Sequence, residues 1–370
     1  MAENRVSRRD FVKTGVAAAT AVSAGLVPTS SFAMNEVSDE VKRTRSFNPD
    51  MEYRRLGKTG LWVSAICLGG HWKRIDKVIG ADAEINPYEG PNKQEDLAPF
   101  LQNRHDVVSR CIEVGINCID FAGNAEPETY CRVLRGRRES MYLCYSHPAS
   151  ELRVKENCTT EKLVELFEAG LKRCDLEYAD VWRLMAHERG GLMHDQKDVD
   201  AMIEALVIAK KKGLCRFTGF STHDRRWAKK LIETYPDVME VLCMPYTAKS
   251  KELPSDSIFE TVRKYDVGVL GIKPFSSNAL FQGNGSPDHP AAEEDDRKAR
   301  QTVRYILSNP AVTAPIPGLI SPHQVGNMAR AIREPRELQP EEQAELSQAT
   351  DAMWARLPSD YEWLRDWEYV

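Results

Sequence analysis

The sequence has no Cys-x-x-Cys pair and no His-x-His pair, so zinc-ribbon and iron–sulfur frameworks have no ligand set to build on. It has no excess of basic charge. Lys and Arg number 50 against 55 Asp and Glu, for a net charge of -5, and the basic face of a nucleic-acid binder is missing. No Gly-x-Gly-x-x-Gly follows the first predicted strand, where Leu-Gly-Gly-His-Trp-Lys stands instead, which removes the doubly wound dinucleotide fold. The apolar run over residues 14–27 is short and rich in Ala, Gly and Thr, too weak for a stable membrane span. No internal repeat and no second domain are visible. What remains is an ordinary globular composition, 42% hydrophobic, enough for one large barrel or two smaller domains.

Residues 1–33 read as a removable leader. Ser7-Arg8-Arg9-Asp10-Phe11-Val12-Lys13 has the twin-arginine pattern Ser-Arg-Arg-x-Phe-x-Lys, the weakly apolar run follows, and Ser31-Phe32-Ala33 offers a small-x-small cleavage site. The alternative is a chance Arg pair before an uncleaved helix. The leader predicts a periplasmic or otherwise exported protein that meets the twin-arginine machinery and keeps no stable membrane anchor after cleavage. That route carries folded proteins, often with a cofactor bound. The nine cysteines do not contradict export, because Cys67, Cys118, Cys144, Cys215 and Cys243 fall in or beside predicted core strands, where they serve as small buried hydrophobes.

Residues 34–50 are polar, without a period, and read as a linker. A Gly57-Lys58-Thr59-Gly60 turn between short extended pieces predicts a hairpin over 51–64. Strands and helices then alternate. Strands are expected at 64–68, 117–121, 141–146, 179–185, 215–220, 241–245, 267–272 and 312–316. Helices are expected at 106–114, 127–135, 160–173, 199–212, 226–234, 255–264 and 294–307, with two more at 322–332 and 340–354. Eight such units predict an α/β fold, a (β/α)8 TIM barrel over 51–355 with an N-terminal β-hairpin and extra C-terminal helices. Residues 71–102 form a long insertion. The stretch 356–370, Tyr361-Glu-Trp-Leu-Arg-Asp-Trp-Glu-Tyr369 within it, is dense in aromatics and is expected to pack over the barrel mouth, on its side or on a partner, with its own chain favoured.

Barrel chemistry gathers where strands end. Asp120 closes an apolar strand, Asn117 to Phe121. Four of the eight histidines, His71, His147, His187 and His223, also fall on strand ends, which implies a polar pocket.

Several stretches in order resemble the aldo-keto reductases. They are Tyr-Arg-Arg-Leu-Gly-Lys-Thr-Gly-Leu-x-Val-Ser at 53–64, Gly-Ile-Asn-Cys-Ile-Asp-Phe-Ala at 115–122 and Leu134-Arg-Gly-Arg-Arg138. Further along come Asp180-Val-Trp-Arg-Leu-Met-Ala-His187, Gly219-Phe-Ser-Thr-His223, Gly271-Ile-Lys-Pro274 and Ile316 through Asn327. The resemblance implies hydride transfer between NADP or NAD and a small carbonyl or alcohol substrate, possibly sugar-like. Family members use an Asp, a Tyr, a Lys and a His. Asp120 and His187 match the first and last. His147 stands at the Lys place, and Asn124 or Ala125 at the Tyr place, so the resemblance implies a degraded tetrad. An Asp120–His147 pair is the expected replacement proton donor.

On the cofactor side, the resemblance places Ser221 and Thr222 at the nicotinamide, with Cys243 where Gln is usual. It places Phe275, Ser276 and Ser277 along the pyrophosphate, and Gly318, Ser321, His323 and Asn327 at the adenine end. No Lys or Arg is evident there for a 2'-phosphate. Two other readings stand beside this one. A catalytically lost barrel would bind a ligand only. A metal-dependent lyase, isomerase or hydrolase would use His71, Asp120, His147, His187 and His223, although the leading reading carries no metal.

Overall fold

The structure is a computed structural model that describes residues 37–80, 82–186 and 193–370. The chain divides into Met1–Ser38 and Asp39–Val370. The expected leader, 1–33, lies outside the described residues, and the fold below is that of the second unit. Among the described residues no helix is long and apolar enough to cross a membrane.

The predicted hairpin is present as β1 (Tyr53–Arg55) and β2 (Trp62–Ser64), antiparallel with Arg54 opposite Val63. Gly57 turns it in the left-handed region, at φ 50°, and a side chain there would meet the Gly268 nitrogen at 2.2 Å. The turn therefore sits directly on the start of a barrel strand. Leu56, Leu61 and Val63 close the bottom of the interior core. Residues 39–50 are not the linker expected. Asp39–Lys42 is a short helix, and Arg45 reaches Met141 O at 2.7 Å and the buried Asp180 at 2.9 Å. A cation fixed on a buried carboxylate ties this stretch to the barrel.

The insertion has structure of its own, a helix Asp76–Ile79 and a hairpin of β3 (Ile85–Asn86) and β4 (Gly90–Pro91). Trp72 anchors its start, buried edge-on against Phe100 at 4.8 Å, with its Nε1 donating to the Tyr130 hydroxyl at 3.1 Å. The following helix, Leu97–Val114, begins earlier than the 106 expected, because Phe100, Asn103, Arg104 and Val107 continue its buried stripe.

Seven parallel strands follow: β5 (Cys118–Asp120), β6 (Tyr142–Tyr145), β7 (Ala179–Met185), β8 (Cys215–Ser221), β9 (Val241–Pro245), β10 (Gly268–Ile272) and β11 (Ala314–Pro315). They are hydrogen-bonded in chain order. Residues 67–69 fill the eighth place. Leu68 bridges to Ile119, Gly69 to Gly318, and the Cys67 N–H donates to Pro315 O at 3.0 Å. The sheet is thereby curled into the expected (β/α)8 barrel.

Alternate residues of the strands face inward. Cys67, Cys118, Cys144, Val181, Cys243, Leu270 and Ala314 form that core. Four small thiols in one interior explain the cysteine usage, and all nine cysteines are free and buried.

The extra C-terminal helices are Pro322–Arg333, capped by Ser321, and Pro340–Ala355, opened by a Gln339/Glu342 capping box. The aromatic tail then winds as a 3-10 helix, Ser359–Trp367, and packs on its own chain. Its last residue is laced to the loop after β9. Val370 N–H donates to Lys251 O at 2.9 Å, and Leu253 N–H to Val370 O at 2.8 Å.

Candidate active site

A cavity of about 410 Å³ opens at the C-terminal ends of the strands, reaching from Asp120 and Arg183 in the barrel to Gly318, Gln324 and Asn327 at the helix Pro322–Arg333. Its innermost polar group is an ion pair. Arg183 Nε donates to Asp120 Oδ1 at 2.6 Å and Nη2 to Oδ2 at 3.0 Å, both side chains about 1% exposed. Nη2 also donates to Phe121 O at 2.6 Å and Ser146 Oγ at 2.9 Å. Burial raises the Asp120 carboxyl to about 6 against the opposing pull of Arg183, so Asp120 is ionised at neutral pH.

This arrangement corrects the expected Asp120–His147 pair. Tyr142 and Cys144 of β6 face the barrel interior, and the next inward residue is Ser146. The period of two turns His147 the other way, where its Nδ1 pairs with Ser150 Oγ at 3.0 Å. Burial and Arg173 lower the His147 pKa, and its side chain is not among those lining the cavity. The charged partner of Asp120 comes from β7 instead. Val181 marks the inward parity of that strand, and Arg183 shares it.

The strand β7 is held from outside the barrel by Glu151, which accepts from Trp182 Nε1 at 3.0 Å and Met185 N at 2.6 Å. Burial pushes this carboxyl up to about 7. A raised folded value means that the stability it contributes is full below about 4.5 and is lost as pH rises through 7. Denaturant unfolding at a series of pH values is expected to show a decline of up to about 3 kcal/mol across that window, absent from Glu151→Gln. Parallel curves for the two proteins would contradict it.

A second carboxylate braces the near wall. Glu126, wholly buried, accepts from Ala122 N at 2.7 Å, His71 N at 2.8 Å and the His71 ring at 3.1 Å. Burial alone would raise its pKa, but the His71 ring and the two N–H groups hold it below the usual value. Burial keeps His71 below its own usual value, so its ring is neutral at pH 7. A Cβ on Gly70 would fall 1.9 Å from the Glu126 carboxyl carbon. Gly70→Ala is therefore expected to displace Glu126 from its donors and cost about 1–3 kcal/mol, read by urea unfolding. An unchanged midpoint would show that the wall yields.

The remaining predicted positions divide. Ser221, Phe275, Gly318, His323 and Asn327 line the cavity with Asp120. Asn327 accepts from Arg300 at 2.7 Å and donates to Asp296 O at 3.0 Å, while His323 Nε2 pairs with Asp296 at 2.6 Å. Thr222, Ser276, Ser321 and Asn124 are not among the lining residues. Thr222 accepts from Asp224 N at 3.0 Å. Ser321 Oγ caps its own helix at Gln324 N. Asn124 is drawn to Glu89 at 2.6 Å. Ser276 Oγ is buried without a hydrogen bond. His187 lies outside the described residues.

Among the described residues, the rim histidines His71, His147 and His223 do not assemble into the metal set considered from sequence. His71 is on Glu126, His147 on Ser150, and His223 stacks on Trp363 at 3.9 Å. Among the described residues, one group of three has metal-ligand spacing, Cys158, His194 and Asp198, and Lys155 already contacts Asp198 at 2.6 Å.

The groups that sequence reading missed are Arg183, Glu126, Tyr88, Lys73, Lys273 as a functional group, and Tyr361. The loop after β10 holds Lys273, Ser276, Ser277 and Asn278 at φ between 47° and 70°, a run of left-handed residues rare outside glycine. It turns Lys273 and Ser277 toward the tail, where Tyr361 meets them.

A closed parallel barrel with its polar cavity at the C-terminal strand ends is the architecture of barrel enzymes. The model of the Aldo/keto reductase family matches residues 94–351, and the chain belongs to that family. Solved structures of similar fold include the holo form of an aldo-keto reductase from Bacillus halodurans, with 18% identity, TM-score 0.56, and coverage of 81% of this chain and 96% of that one. Another is the Klebsiella pneumoniae aldo/keto reductase in complex with NADP and acetate, with 19% identity, TM-score 0.57, and coverage of 80% and 95%. A third, from Brucella melitensis, has 15% identity, TM-score 0.54, and coverage of 81% and 99%. At these identities the likeness is one of fold. No curated protein matches the chain.

Proposed function

We propose that this protein is an exported oxidoreductase that transfers hydride between a bound nicotinamide dinucleotide, NADP or NAD, and a small carbonyl or alcohol substrate. Family membership supports the oxidoreductase class. The observation that carries the reading is the continuity of one cavity from the Asp120–Arg183 pair, past Ser221 and Phe275, to Gly318 and Asn327. An extended dinucleotide needs such a channel, with its reactive ring in the barrel and its adenine at the rim.

The residues present fit that group. Ser221 offers a hydroxyl at the inner end. Arg74, which lines the same cavity, offers positive charge for phosphate, and Gln324 and Asn327 offer amides at the outer end. When bound, the nicotinamide supplies or accepts the hydride. The ionised Asp120 is fully occupied by Arg183, so its work is to fix the floor of the cavity rather than to move a proton. The His71–Glu126 wall and the tail exclude water from the reacting end, which strengthens every charge inside. The Ser7–Lys13 pattern supports export, by a route that carries folded proteins, often with a cofactor bound.

Titration of the purified protein with NADH and with NADPH, followed by nicotinamide fluorescence, tests this. One site with a Kd below about 1 mM is expected for at least one of them. Absence of binding by both would sink the reading and leave a ligand-binding barrel without redox chemistry.

A further inference from the structure

Asn124 or Ala125 stands where the resemblance implies a tyrosine; Asn124 is tied to Glu89, and neither residue lines the cavity. A phenol nevertheless reaches the cavity from the other end of the chain. Tyr361 lines it, only 7% exposed. The tail that bears it is fixed at both sides. Leu364 and Leu357 pack with it beneath, and Trp367 and Val370 are buried and bonded beyond. Lys73 Nζ lies 3.4 Å from the Tyr361 hydroxyl and donates to Ser277 Oγ at 2.5 Å. Lys73 and Lys273 both stand over its ring, at 4.8 Å and 5.1 Å from the centroid.

We propose that Tyr361, brought over the barrel mouth by the C-terminal tail and flanked by Lys73, Lys273 and Ser277, is the proton donor to the substrate carbonyl oxygen, and the acceptor in the reverse direction. The inference rests on the oxidoreductase reading above and adds a residue to it. Were a reduced nicotinamide bound here to give up its hydride, its C–H bond would break as the new one forms at the carbonyl carbon, and the C=O π pair would move onto oxygen. That oxygen takes the phenolic proton, and the Tyr361 O–H bond breaks. The phenolate left behind faces two ammonium groups and regains its proton from solvent at the mouth.

The electrostatics agree with the geometry. Burial by itself would raise the phenol. The Lys273 charge, the bond to Ser277, the Lys73 charge and the bond to Tyr88 outweigh it and bring Tyr361 down to about 8. Burial in turn pulls the Lys273 ammonium below its ordinary value, opposed by Tyr361 and reinforced by Lys73 and Arg153. On the opposite side, burial raises the Tyr88 phenol, with Tyr361, Asp360 and Glu126 adding to the rise. Tyr88 therefore stays protonated and acts as a hydrogen-bond donor to Tyr361. His71, the other ring on this wall, is held neutral and is the weaker proton source.

The test uses the full chain, its Tyr361→Phe variant and Lys273→Met. Ultraviolet difference absorbance across a pH titration reads phenolate directly. Among the chain's 12 tyrosines, the wild type is expected to show one that ionises near 8. It should be missing from Tyr361→Phe and shifted above about 9 in Lys273→Met. With NADH or NADPH as reductant and benzaldehyde as probe carbonyl, Tyr361→Phe is expected to lower kcat at least about 100-fold. Its nicotinamide Kd should stay within about twofold, because the phenyl ring keeps the packing. Wild-type reductive kcat should fall as pH rises through 8, since the donor must be protonated.

Turnover surviving in Tyr361→Phe, or no Tyr361-dependent ionisation below about 9, overturns the donor role alone. A wild type that binds no nicotinamide, or binds it and does not reduce the probe, overturns the oxidoreductase reading and the donor role with it.

Discussion

Replacement of Arg183 by methionine is expected to cost about 3–5 kcal/mol of folding stability and to abolish turnover. The reason is the partner left behind. Asp120 is buried, ionised at neutral pH, and takes both of its hydrogen bonds to a side chain from Arg183. Without the guanidinium it must be protonated or stay charged in a dry barrel. Phe121 O and Ser146 Oγ lose a donor as well. Arg183→Met fills similar volume, so packing loss does not explain the cost. The double variant Asp120→Leu with Arg183→Met removes both charges and is expected to recover to within about 1–2 kcal/mol of the wild type while remaining inactive. Urea unfolding of the two singles and the double gives the coupling directly. A single variant costing less than about 1 kcal/mol would mean that water reaches Asp120 and that the floor of the cavity is wet.

Deletion of residues 359–370 is the second large effect. It removes Tyr361 and Trp363 from the cavity wall, and Leu364, Trp367 and Val370 from the packing behind it. Turnover is expected to fall by at least about 100-fold, from loss of the proton donor and of water exclusion together. The barrel is expected to keep its cooperative melt. The tail touches it through strand-end loops, the one after β9, the Lys73–Lys273–Ser277 cluster and His223, whereas the strands pair among themselves. Circular dichroism separates the two outcomes. Retained activity in a folded truncation would remove the tail from the mechanism. A truncation that does not fold would make the tail a structural strap, and Tyr361→Phe would then carry the functional question alone.

The barrel was legible in the sequence because its signals are local. Eight apolar runs, each followed by a helical stripe, need no long-range information. The boundaries that moved did so for equally local reasons. The helix Leu97–Val114 extends backward through Phe100 and Arg104, and residues 39–50 are tied down by Thr44, Ser46 and Asn48 bonded to remote residues and by Arg45 on a carboxylate 135 residues away. Those contacts have no sequence signature.

At the site, what depends on strand parity was readable and in one place misread. Asp120, Ser221 and Gly318 follow from where strands end. His147 fails by a single residue, since Ser146 takes the inward place. Arg183 was readable by the same rule, as a lone cation at inward parity in a strand otherwise buried, and such a residue is rarely without a paired charge. Glu126 was hidden by its place at the start of a helix, where an acid has an ordinary explanation. Tyr361 was beyond reach. Its aromatic context announced packing, but the choice of the barrel mouth depends on the Lys73, Lys273 and Ser277 cluster, assembled from two remote segments.

The most direct test of the central claim is made on the purified, folded protein with nothing added. It is denatured, and the released small molecules are assayed for NAD(H) and NADP(H). About one nicotinamide per chain is expected, or stoichiometric uptake when the nucleotide is supplied to the folded protein. No nicotinamide released, and none bound when supplied, would contradict it.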